Sequence, residues 1–260
     1  MAYAFVQQKD AIVLSAGTTA TTPNTDSALT AGNIVFWCAT YGSSSSKTVT
    51  MSDSSGLLSF TQCGSIFNAT DDGSLVWGYA VVNTSGVTAV TATISSSVSF
   101  TGVYIAEYSG LSLTPYTSGE AVAFRSAAPG TTTDAITSGN TPSLATVPAA
   151  VVGFCFDRAG ANAPAAGTGF TGLSSVWSGY GVSEHKRVTV NSAVAATFTA
   201  SNGSNNYYTA VLVLAEATPG GTVNTKNLSE SLTLSDSINA MRILPILDDT
   251  SMIANILRSI

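Results

Sequence analysis

Ala149-Ala150-Val151-Val152-Gly153-Phe154-Cys155-Phe156 runs for eight residues without a charge or a hydroxyl, and Asp157 closes it. The run is short for a helix, is bounded by turn-forming residues, and mixes β-branched with aromatic side chains. It therefore reads as a strand that is apolar on both faces. Ala210-Val211-Leu212-Val213-Leu214-Ala215 has the same character. A strand of this kind needs cover on both sides, so both belong at the centre of a layered β structure.

Outward from these two, further strand-like runs are bounded by Gly, Asn, Ser or Pro. The clearest are Ile34–Tyr41, Lys47–Ser52, Leu75–Val82, Val87–Ile94, Phe100–Tyr108, Glu120–Phe124, Ala149–Asp157, Val188–Val190, Val194–Ala200 and Tyr207–Glu216. No helical periodicity of three turns occurs before residue 217. Many short strands without a helix predict an all-β fold, a two-sheet antiparallel β-sandwich closed in jelly-roll style. Asp53-Ser54-Ser55-Gly56, Asp71-Asp72-Gly73 and Asn83-Thr84-Ser85-Gly86 supply the turn chemistry between strands.

A faint echo runs through the chain. Trp77-Gly78-Tyr79-Ala80-Val81, Val90-Thr91-Ala92-Thr93 and Tyr104-Ile105-Ala106-Glu107 are followed by Gly179-Tyr180-Gly181-Val182, Val194-Ala195-Ala196-Thr197 and Val213-Leu214-Ala215-Glu216. The offset drifts from one pair to the next, which argues against a tandem sequence repeat. Two halves of one sandwich sharing strand grammar would account for it, as would chance in a sequence this poor in charge.

The pattern breaks at Thr218-Pro219-Gly220-Gly221. Every aromatic residue lies at or before Tyr208, and no glycine follows Gly221. This divides the chain into a β-sandwich over residues 1–218 and a C-terminal arm, extended or short-helical, over residues 219–260. The arm carries Leu228, Leu232, Leu234, Ile238, Leu244, Ile246, Ile253, Ile256 and Leu257 with no aromatic anchor. Pro245 blocks a helix interior or a central strand, and Asp249 or Thr250 can cap a short helix after it. Such a segment builds no core alone, so docking or oligomerisation is its expected role.

Charged residues make up 9% of the chain, and Ser and Thr together outnumber them about threefold. A net charge of −6 without clustered Lys or Arg predicts no nucleic-acid partner. No apolar run reaches membrane-spanning length, and the N-terminus lacks the pattern of a secretory signal. Folding in a cytoplasm is the expectation. Cys38, Cys63 and Cys155 have no metal-ligand spacing, and Cys38 and Cys155 read as buried, reduced thiols.

The search for chemistry yields little. The single histidine, His185, lies in Ser183-Glu184-His185-Lys186-Arg187, read as a solvated turn, with no nucleophile elbow elsewhere. Glu107, Glu120, Glu184 and Glu216 are the carboxylates available for glycoside hydrolysis, but no motif spaces them. Glu107 and Glu216 are expected to be structural, paired or at a sheet edge. Asp71-Asp72-Gly73 and Asp53-x-x-Gly56 read as turns rather than calcium loops. No phosphate-binding or dinucleotide fingerprint is present, so no cofactor and no metal is expected. Among the aromatics, Trp37 and Trp77 read as core. Trp177 and Tyr180, with small polar neighbours, are the candidates for contact with host glycans, and Tyr207 and Tyr208 are the others to follow.

Ala31-Gly32-Asn33-Ile34-Val35, Asp53-Ser54-Ser55-Gly56, Trp77-Gly78-Tyr79-Ala80-Val81-Val82-Asn83 and Ala106-Glu107-Tyr108-Ser109-Gly110-Leu111 together resemble a family of jelly-roll-like β-sandwich domains. These domains occur in virion proteins of tailed bacteriophages and in some bacterial surface proteins. Asn227-Leu228-Ser229-Glu230-Ser231-Leu232-Thr233-Leu234-Ser235-Asp236-Ser237 looks like segments appended to them in phage structural proteins. The resemblance spans roughly residues 3 to 240 and brings no catalytic residue. It implies a non-enzymatic coat, capsid decoration (cement) or fibre role in a virion. The expected partners are a major capsid or other virion protein and sister subunits, a trimer by analogy. The alternative is a tail fibre or receptor-binding protein that recognises host surface glycans.

Overall fold

In the computed structural model the described residues are 2–112, 122–127, 135–144, 146–158, 164–173, 176–199 and 207–217, with the backbone alone at 122–127 and 135. They hold sixteen strands and one 3-10 turn, Trp177–Gly179. The first eight strands are β1 Ala4–Val13, β2 Gly17–Thr21, β3 Ile34–Tyr41, β4 Val49–Asp53, β5 Leu58–Asn68, β6 Gly73–Val82, β7 Val90–Val98 and β8 Thr101–Ser109. The second eight are β9 Val122–Ala127, β10 Ala135–Thr137, β11 Ala149–Asp157, β12 Ala165–Ala166, β13 Thr171–Gly172, β14 Gly181–Val188, β15 Thr197–Thr199 and β16 Tyr207–Ala215. All of them lie in the unit Met1–Pro219; a second unit, Gly220–Ile260, falls outside the described residues, and with it every arm residue named above.

The all-β sandwich is present, and it is built twice. The first eight strands form a five-stranded sheet, β1-β8-β3-β6-β5, and a three-stranded sheet, β2-β7-β4. The second eight form β9-β16-β11-β14-β13 and β10-β15-β12, the same order with eight added to every strand number. Each set follows a jelly-roll wrap, with the fifth strand pairing beside the sixth. The pair of sheets expected from sequence is therefore two pairs. The echo noted above joins β6 to β14, β7 to β15 and β8 to β16. Its offset drifts because the spacing between matched strands differs: β7 ends at Val98 and β8 begins at Thr101, whereas β15 ends at Thr199 and β16 begins at Tyr207.

Three cores result. Val35, Trp37 and Ala39 of β3 point into a core between the first two sheets, together with Val90, Ala92 and Ile94 of β7. Val151 and Cys155 of β11 and Val211 and Val213 of β16 do the same in the second sandwich, against Ala196 and Phe198. The alternate residues, Ile34, Phe36 and Cys38 on β3 and Ala150, Val152, Phe154 and Phe156 on β11, meet in a third core between the two five-stranded sheets. This explains the unbroken apolar runs, because both faces of β3 and β11 are covered.

The central core is aromatic. Tyr104 lies 5.3 Å from Phe154, and Trp177 lies 5.0 Å from Phe154 and 5.3 Å from Phe156 between ring centroids. β6 faces β16 and β5 faces β9, so the strand order of one sheet runs opposite to that of its partner. The segments that follow the two last strands also pair across this seam. Leu111 bridges Glu216, Ser112 N donates to the Ala215 carbonyl at 2.9 Å, and Ala217 N donates to the Gly110 carbonyl at 2.8 Å. At Gly73, a Cβ would stand 2.3 Å from the Tyr208 hydroxyl, so only glycine lets the β5–β6 turn close against the second sandwich.

Several strand assignments change. Of the run Val188–Val190 only Val188 lies in a strand, as the last residue of β14, which begins at Gly181, so Lys186-Arg187 is strand rather than turn. β1, β2 and β5 were not expected. Their polar residues, such as Gln7, Lys9 and Gln62, hide the period of two, and one residue slips register in each of β1 and β5.

Candidate functional site

The candidate carboxylates are tied into the scaffold. Glu107, 1% exposed, accepts from Gln7 Nε2 at 2.6 Å, Asn33 Nδ2 at 2.7 Å and the Thr30 amide at 2.8 Å. It anchors the loop before β3 to the end of β8. Glu184 is also buried and accepts from the amides of Gly167 at 2.8 Å and Thr197 at 3.0 Å. Burial pushes its carboxyl up to about 7, while the two amides and Lys186 pull the other way. Glu216 is held by both Arg187 Nε and Nη2, the latter at 2.8 Å, and this pairing keeps its carboxyl below the ordinary value. Glu107 and Glu216 close matching strands yet point to opposite faces, Glu107 toward the outer loop and Glu216 toward the seam. Glu120 lies outside the described residues.

His185 is not in a solvated turn. It sits half-buried in β14 with its ring 5.8 Å from Tyr3, 6.0 Å from Phe5 and 5.5 Å from Tyr108, and Nδ1 lies 3.3 Å from the Tyr3 hydroxyl. Desolvation lowers its pKa, and burial raises that of Tyr3 to about 12. Three aromatic rings surround the imidazole and pack it into the seam.

Of the aromatics singled out for glycan contact, Trp177 is 0% exposed. Its indole Nε1 donates to the Val103 carbonyl, so the ring closes the central core and offers no face for stacking. The small neighbours that suggested exposure accommodate a left-handed turn, with Trp177 and Ser178 at positive φ. Tyr207 and Tyr208 are buried, as are Trp37 and Trp77, the two read as core. Tyr180 is half-exposed and lines a cleft of about 80 Å³ with Leu14, Arg158 and Phe100.

The aspartates of the proposed turns act as turn aspartates. Asp53 accepts from the amides of Ser55, Leu57 and Leu58; burial opposes ionisation, but these bonds prevail and lower its pKa. Asp71 accepts from Tyr208 Oη and from the Gly73 amide. No group of three or more metal-ligating side chains occurs among the described residues. Cys38 and Cys155 are buried free thiols, and burial raises both pKa values.

A larger opening lies elsewhere. A groove of about 470 Å³ runs along β1, the edge strand of its sheet, and is lined by Phe5, Val6 and Lys9 on one side and Gly172 and Leu173 on the other. Sequence reading missed it because β1 was not recognised as a strand.

Comparison with family models, with curated proteins and with solved structures returned no match. The functional reading therefore rests on the residues of this chain.

Proposed function

We propose that the protein is a non-enzymatic structural component of a tailed-phage virion, a decoration or cement protein that docks through its C-terminal arm. The observation that carries this reading is the way the chain leaves the double sandwich. Three cores are filled by residues up to Leu214, and the exit is clamped by the Arg187–Glu216 pair and the Ala217–Gly110 bond. The segment that follows has no aromatic residue and carries its apolar side chains chiefly as Leu, Ile and Met. Ordering such a segment costs conformational entropy, which burial against a partner offsets. Repetition over a particle surface adds avidity.

Removal of residues 222–260 should leave the double sandwich folded and abolish incorporation into particles. Incorporation of the truncated protein at the normal level would overturn this function. A receptor-binding role draws on Tyr180 and its cleft. A glycan array with the Tyr180→Ala variant as control separates the two readings, because a cement function requires no sugar.

A further inference from the structure

The cleft of about 80 Å³ beside Tyr180 is shared by the two sandwiches. Ile12 and Leu14, at the end of β1, and Phe100, before β8, come from the first; Phe156 of β11, Arg158 just after it and Tyr180 before β14 come from the second. Leu14 is 60% exposed at the rim, while Phe100 and Phe156 are buried. Among the described lining residues, the polar side chains are the Tyr180 phenol and the Arg158 guanidinium.

Arg158 lacks the acceptor its charge calls for. The described residues hold two ion pairs, and Arg158 belongs to neither. Its guanidinium lies over the Phe100 ring, 4.8 Å from the centroid, and its Nε is buried without a hydrogen-bond partner. The aromatic face attracts the charge but gives the Nε–H no oxygen to bond, and a buried donor of a charged group is costly to leave unmade. Arg187 shows what completes such a group in this protein, since its Nε and Nη2 donate to the two carboxylate oxygens of Glu216.

We propose that this cleft is a binding site for a compact apolar monocarboxylate, a short branched-alkyl acid. The carboxylate accepts from Arg158 Nε and a neighbouring Nη, and the alkyl body lies against Ile12, Leu14 and Phe100. A dry cavity of about 150 Å³ holds a benzene ring. The smaller cleft here, open at one side, suits a short alkyl chain. An acidic sugar fits less well, because its hydroxyls would face hydrocarbon walls with one phenol to bond them. The site goes beyond the assembly role of the arm, and neither depends on the other.

The test is isothermal titration calorimetry of the full chain with isovalerate, acetate, isovaleramide and glucuronate. Isovalerate should bind tightest; acetate loses the alkyl burial, and the neutral amide, lacking the charge, should bind about tenfold more weakly or worse. Arg158→Gln should weaken isovalerate by about tenfold or more. Leu14→Asp changes an exposed side chain, places a like charge at the rim and should also weaken it, which keeps the site testable if loss of Arg158 unfolds the chain. No binding of isovalerate at millimolar concentration, equal binding of acid and amide, or undiminished binding in either folded variant overturns the proposal. Tighter binding of glucuronate than of isovalerate also overturns it and assigns the cleft to glycan recognition. The arm's role in assembly is untouched by any of these results.

Discussion

Trp177 Nε1 donates to the Val103 carbonyl oxygen at 2.9 Å, across the seam between the two sandwiches. The Trp177 amide also donates to Asp10 of β1, so one residue of the second sandwich is bonded to two strands of the first. A buried indole satisfied in this way fixes the relation of the sheets as well as filling space.

Trp177→Ala should therefore destabilise the protein by about 3–5 kcal/mol, the usual cost of deleting a buried large aromatic. Trp177→Phe keeps part of the packing but loses the indole bond to the Val103 carbonyl, which is worth about 0.5–1.5 kcal/mol. Chemical denaturation monitored by circular dichroism measures both. A loss below about 1 kcal/mol for the alanine variant would show that the seam contributes little to stability.

Glu184 gives the second sandwich a pH dependence of unusual sign. Its carboxyl titrates at about 7 in the folded protein and near 4.5 when unfolded, so between these values the native state holds a proton that the unfolded chain has released. Its contribution to stability is fully present below the unfolded value and is lost as pH rises toward 7. Thermal melts from pH 5 to 8 should show this decline, and Glu184→Gln should flatten it. An unchanged slope in that variant would assign the dependence to another group.

The Arg187–Glu216 pair has the opposite sign. Arg187 holds the Glu216 carboxyl below its ordinary value, so its stabilisation is present above about 4.5 and is lost as pH falls through the folded pKa. Arg187→Ala should lower the melting temperature at pH 7 and converge with the parent in acid, because protonation removes the same interaction. Parallel curves at every pH would argue that the arginine acts through packing alone.

A chain ending at Pro219 should unfold with the same denaturant midpoint and m-value as the full chain at protein concentrations low enough to suppress association. All three cores lie within it. A lower midpoint for the isolated chain would mean that the arm stabilises its own sandwich.

Much of the β character was legible in the linear pattern. Ala149–Asp157 was read with the same limits the structure has, because nine buried residues bounded by turns leave no other periodicity to follow. Ile34–Tyr41 was read correctly for the same reason. β1 and β5 were not, since strands at sheet edges mix polar and apolar residues and a register slip resets their alternation. His185 and Trp177 went opposite ways from expectation: a histidine between charges and an indole between serines look solvated until another sheet is laid over them.

The sequence by itself determined the class of fold, its central strands and its turns. Backbone propensity and hydrophobic period act over a few residues and are written locally. The doubling of the sandwich, the aromatic seam and the fate of each carboxylate were decided only by tertiary structure. These depend on which sheet faces which: Glu107 and Glu216 close matching strands, yet one turns toward a loop and the other toward Arg187. A local pattern contains the strand but not the surface that will cover it.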